Sequence, residues 1–201
     1  KQYERAIESF DKNQSNERKI RSNERLAEHL MIFYGRGFFK IDYPENIFSR
    51  FCNLAPETLK THAIEFVGRQ LYHTKDEAPQ VLQRLKDLWD HRFKTASQAE
   101  LSAFGWWFVS KKFNDEWAVA QLQKVLEKTG HIEPDSMVVE RLAELVVQMP
   151  EETMECLRLI IHGDSSGWGF YGWRDSAKTI LRQALQTEAA SQAQSVIHYL
   201  G

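Results

Sequence analysis

Cysteine is scarce in this chain, and so are long apolar runs. Its 201 residues include two cysteines, Cys52 and Cys156, more than a hundred positions apart and in no CxxC spacing. That excludes a dense disulfide framework and paired-thiolate zinc motifs, and it suits a reducing, cytoplasmic setting with buried thiols. The longest strongly apolar run is "AFGWWFV", Ala103 to Val109. It falls far short of the ~18 residues a spanning helix needs, so no membrane segment is expected. Charge of one sign is missing too: 26 Lys plus Arg stand against 28 Asp plus Glu, a formal net charge of −2. Such a balance supplies no global field for nucleic acid or an anionic membrane. The start, "KQYERAIESF", shows no initiator Met and no signal peptide, and the chain stops at "VIHYLG" straight after an amphipathic run. Both ends read as those of a piece of a longer protein.

Motifs that carry chemistry are also missing. The seven histidines form no HxxxH, HExxH or His–Cys cluster, so no metal is expected. There is no GxxxxGK[ST], no GxSxG and no GxGxxG after a strand, and no cofactor is expected. Adjacent carboxylates occur at Asp115–Glu116 and Glu151–Glu152. Each pair falls in the first turn of a predicted helix, where the positive end of the macrodipole accounts for it. The segment is therefore not expected to be an enzyme. The one catalytic alternative is a site around the glycine-aromatic stretch 163–176, with His162 and Asp164 beside it.

What is present is helical periodicity. In "MVVERLAELVVQM", Val138, Leu142, Leu145, Val146 and Met149 fall on one stripe of a 3.6-residue helix, and strand-length alternation is not seen. "SQAE" at 97–100 reads as a capping box, Asn114 or Asp115 opens the next helix, and Pro134 and Pro150 sit at helix joints. First helices are expected to begin near residues 57, 98, 135 and 173, and second helices near 78, 115, 151 and 188. The resulting repeat of roughly 36 to 41 residues is the length of one hairpin in a HEAT or armadillo-like array. A hairpin cannot bury both of its apolar stripes alone, so stacked hairpins share one core. The expected fold is all-α, a HEAT/armadillo-like α-solenoid with a right-handed superhelix. Residues 1–55, with "YERAIESF", "NERKIRSNERLAEHLMIFYGRG" and "ENIFSRFCNLA", form an irregular N-terminal repeat, and 56–201 form four hairpins.

Aromatic residues supply the candidate contacts. Trp106 and Trp107 are adjacent and point about 100° apart on a helix. One should face a neighbouring helix, while the other reaches the next repeat or the surface. In "GDSSGWGFYGWRDS", 163–176, four glycines alternate with Trp168, Phe170, Tyr171 and Trp173. A phosphate cradle wants small residues before a helix N-terminus, so bulky rings favour a connector folded over the stack, with Gly163 as a helix cap. Trp106, Trp107, Trp168, Tyr171, Trp173 and Arg174 are the candidate contact residues, because Trp, Tyr and Arg dominate interface energies. The expected partner is a protein or a second copy of the chain. Nucleic acid is the less favoured alternative, since basic runs such as "NERKIRSNER" are interleaved with acids.

"LAEHLMIFYGRG", "FGWWFVSKKFNDEWAVAQLQKVLEKTG", "IEPDSMVVERLAEL" and "GWGFYGWRDSAKTILRQAL" resemble the C-terminal helical-repeat region of large bacterial multidomain proteins. Those proteins are similar in build to STAND or AAA-type NTPases, and some are associated with defence against phage. The likeness runs from about Leu26 onward. It implies a HEAT-like sensor or scaffold attached to an effector or NTPase domain elsewhere, and it carries over no catalytic residue.

Overall fold

The computed structural model describes residues 17–41, 43, 45–164 and 168–200, except for the side chains of 17–19 and 168–170. The expected helix at "YERAIESF" lies outside the described residues. Every regular element among those described is a helix: α1 Glu17–Gly35, α2 Ile47–Leu54, α3 Glu57–His73, α4 Pro79–Thr95, α5 Gln98–Ser102 and α6 Gly105–Val109. There follow α7 Asp115–Thr129, α8 Asp135–Leu145, α9 Pro150–Gly163, α10 Trp168–Ala184 and α11 Ala190–Leu200.

Local chemistry sets most boundaries. The side chains of Asn46, Ser97 and Asn114 accept backbone N–H bonds from Ser49, Glu100 and Trp117, opening α2, α5 and α7. Proline begins α4 and α9, where its missing N–H removes nothing. Gly130 closes α7 in the left-handed region at φ 64°. The expected helix from Ser97 to the "KKFND" turn is broken in two. The Ser102 carbonyl accepts from Glu133 N (3.0 Å) and its hydroxyl donates to His131 O (3.0 Å), while a Cβ on Gly105 would stand 2.3 Å from Glu133 O. The 131–133 connector thus docks onto the α5–α6 joint.

Helices pack both on their chain neighbours and on helices further along. α1 lies on α3, α3 on α5 and α6, α6 on α8, and α8 on α10; separately, α7 lies on α9 and α9 on α11. One apolar cluster runs through these contacts from Leu26 to Val196. Its densest part joins three helices and a turn: Trp89 of α4 stacks on Phe104 (4.7 Å between centroids) and meets Trp107, Phe113 and Trp117 edge-on. Aromatic pairs of this geometry add about 0.5–1.5 kcal/mol each beyond the area they bury.

Two glycines have opposite packing roles. A Cβ at Gly68 of α3 would stand 2.4 Å from Trp106 Cβ and 2.9 Å from the Trp106 backbone. Gly68→Ala should therefore force α3 off α6 and destabilise the fold by about 1–3 kcal/mol in urea unfolding. At Gly172 of α10 nothing lies within 4 Å of that position. Gly172→Ala should raise the thermal midpoint by about 2–4 °C, since alanine outranks glycine inside a helix by about 1 kcal/mol.

Candidate functional site

Five of the six nominated residues separate into interior and surface. Trp107 is 0% exposed. It packs among Trp89, Phe104 and Phe113, and its Nε1 donates to Ile64 O at 2.8 Å. Trp173 is 2% exposed and donates Nε1 to Asp135 Oδ2 at 3.2 Å, tying α10 to the start of α8. Both are core residues, a correction to their reading as contact residues, because an enclosed indole offers a partner nothing. The Trp168 side chain lies outside the described residues. Trp106 stays half-buried at the surface, and Tyr171 (72% exposed) and Arg174 are on the solvent side of α10.

The glycine-aromatic stretch is also revised. Helix α10 starts at Trp168, so Gly169 and Gly172 lie within the helix, and from Trp168 onward this stretch is not a connector. Residues 165–167 lie outside the described residues. Gly163 ends α9 and serves close approach, since a Cβ there would overlap Gly130 O. His162, half of the catalytic alternative, packs its ring on Tyr199 at 4.4 Å. Among the described residues no group of three or more His, Cys, Asp or Glu is placed to hold a metal.

Trp106 belongs to a wider face along the first helices. Because Gly68 lets α3 and α6 touch, the Arg69 guanidinium reaches over the Trp106 ring, 4.5 Å from its centroid. One turn on from Gly68, Tyr72 is exposed beside His73. A shallow cleft of about 60 Å³ separates Tyr72 from Met137 and Arg141 of α8. Its rim is a charge chain in which Arg141 bonds Asp115 Oδ1 (2.5 Å) and Glu144 Oε2 (2.5 Å), and Lys111 Nζ bonds Glu144 Oε1 (2.6 Å). Partial burial pushes the Glu144 pKa up, but the hydrogen bonds from Lys111 and Arg141 outweigh it and hold the carboxyl below its usual value. Its small contribution to stability is present above the ordinary glutamate pKa and is lost as pH falls through the lowered one.

Sequence reasoning missed Arg69, Tyr72, Lys111 and Arg141. The available signal was Gly68, a glycine in the middle of a strongly periodic helix. Arg69, Lys111 and Arg141 each have a carboxylate partner, at 3.4, 2.6 and 2.5 Å, so little positive potential remains for a phosphate backbone.

No helix among the described residues is long and apolar enough to cross a membrane. No family model, curated protein or solved structure matches the chain.

Proposed function

We propose that this chain is a HEAT-like α-solenoid that binds a partner protein, or a second copy of itself, through the exposed face of its first helices and performs no chemistry of its own. The carrying observation is the packing of α3 on α6, α6 on α8 and α8 on α10, with α7, α9 and α11 forming a second row. Four helical hairpins over 56–201, preceded by an irregular repeat over 1–55, would wind into a right-handed superhelix with long continuous faces. Along the first-helix row, α3 and α6 carry the Arg69–Trp106 contact and Tyr72, and α10 carries the exposed Tyr171 and Arg174. Aromatic and arginine side chains of this kind dominate protein interfaces. The resemblance noted above supports a sensor or scaffold within a larger bacterial protein, and the two buried free thiols suit a cytoplasmic setting. The test is photo-cross-linking in cells, with p-benzoylphenylalanine replacing Tyr72, Tyr171 or, on α11, Gln194. Discrete adducts from the first two positions, lost on Arg174→Glu, are expected. Adducts from Gln194 alone, or from no position, would overturn the reading.

A further inference from the structure

Helix α10 carries a charge pattern that its own stability does not explain. Arg174, Lys178 and Arg182 follow one another at i, i+4 and i+8, and all three are exposed. With Tyr171, 72% exposed, they occupy about 80° of the helix circumference, and successive cations stand about 6 Å apart along the axis. The helix holds one carboxylate in return, Asp175, whose side chain is 93% exposed and 3.7 Å from Lys178. Neither Arg174 nor Arg182 has a carboxylate three or four residues away in either direction. Like charges four residues apart repel and weaken a helix, and this ladder contains two such pairs. The carbonyl end of the helix favours Arg182, in the last turn, but Arg174 lies nearer the opposite end.

Other exposed cations are differently placed. In α1, Arg21 and Arg25 are also one turn apart, but Glu17, Glu24 and Glu28 lie three or four residues from them. Along the middle of the row, Arg69, Lys111 and Arg141 are paired with Glu65, Glu144 and Asp115. A ladder that repels itself is relieved when anionic groups lie across it. We infer that the α10 ladder seats an acidic stretch of the partner protein, whose carboxylates lie against Arg174, Lys178 and Arg182 beside Tyr171. This rests on the reading of the first-helix row as a protein-interaction face and names the chemistry of what binds at its α10 end. A phosphate backbone needs a longer cationic track, and the paired cations further along the row do not extend this one.

The first readout needs no partner. Lys178→Glu replaces both repulsive pairs with attractive ones, offset in part by repulsion from Asp175, and should raise the thermal midpoint of the purified chain by about 1–2 °C. A lowered midpoint would show that the ladder does not strain its helix and would overturn the inference. The second readout selects random displayed peptides on the immobilised full chain, then titrates the best synthetic peptide by fluorescence anisotropy. Selected sequences should carry several Asp or Glu. Arg174→Glu and Lys178→Glu should each weaken binding roughly tenfold, whereas Arg25→Glu, the same charge change on α1, should leave affinity unchanged. Peptides without acidic residues, or affinity that ignores Lys178→Glu, overturn the inference. Tighter binding of a labelled oligothymidylate, lost in Lys178→Glu, would give the ladder to nucleic acid, and dimerisation lost in the same variant would give it to a second copy; either result overturns the inference. Cross-links from Tyr171 that survive Lys178→Glu would remove the ladder while leaving the interaction module standing. If selection finds no peptide and cross-linking yields no adducts, both readings fall.

Discussion

Arg92→Ala should lower the unfolding free energy by about 3–5 kcal/mol. Arg92 of α4 and Glu100 of α5 are 3% and 2% exposed at their side chains and form a two-pronged pair, Nε to Oε1 at 2.5 Å and Nη2 to Oε2 at 2.8 Å. A third guanidinium bond reaches Thr95 Oγ1 at 3.1 Å. Burial works against the charged guanidinium, but the hydrogen bonds and charge of Glu100 outweigh it and raise the Arg92 pKa. Removing either partner strands the other charge out of water, which is the costly event. The nearby Cys52 cannot compensate, because burial pushes its thiol up to about 12 and keeps it neutral. Glu100→Ala should cost a similar amount, while Arg92→Met combined with Glu100→Leu should recover most of the loss. Urea midpoints with unchanged slopes are the measurement. A single-variant loss below about 1 kcal/mol, the range of an exposed pair, would mean that water reaches the pair.

The second large effect separates two adjacent tryptophans. Trp107→Ala should cost about 3–5 kcal/mol, the range for truncating a buried aromatic. It opens a cavity beside Trp89 and Phe113 and leaves the Ile64 carbonyl without its indole donor. Trp106→Ala, half-exposed under Arg69, should cost about 1 kcal/mol, within the usual worth of an exposed cation–π contact, and under the proposed function it should act instead on partner binding. Similar large losses at both sites would place Trp106 in the core and remove it from the interaction face.

These contrasts show how far the sequence could be read. Helix starts were legible because capping is local. Seven of the eight expected starts lie within two residues of the observed ones, at 57, 98, 135, 79, 115, 150 and 190. The eighth, expected near 173, lies at 168. There the glycines suggested a loop, yet nothing crowds Gly172, so helical propensity and the burial of Trp173 prevailed. The "SQAE" capping box is half correct: Ser97 caps Glu100 N, but the Glu100 carboxylate turns to Arg92, eight residues back. The α5–α6 break, the burial of Trp107 and the Arg69–Trp106 contact were hidden for one reason. Each depends on a partner more than 25 residues away, at Glu133, Ile64 and Arg69, and periodicity carries no such information.

Small-angle X-ray scattering on the purified chain tests the stacked-hairpin account most directly. A compact domain of 201 residues has a radius of gyration of roughly 16–17 Å. An array of hairpins stacked along one axis predicts a clearly larger radius and a pair-distance distribution with an extended tail. A symmetric, single-peaked distribution at the compact value would contradict the solenoid and, with it, the long recognition face.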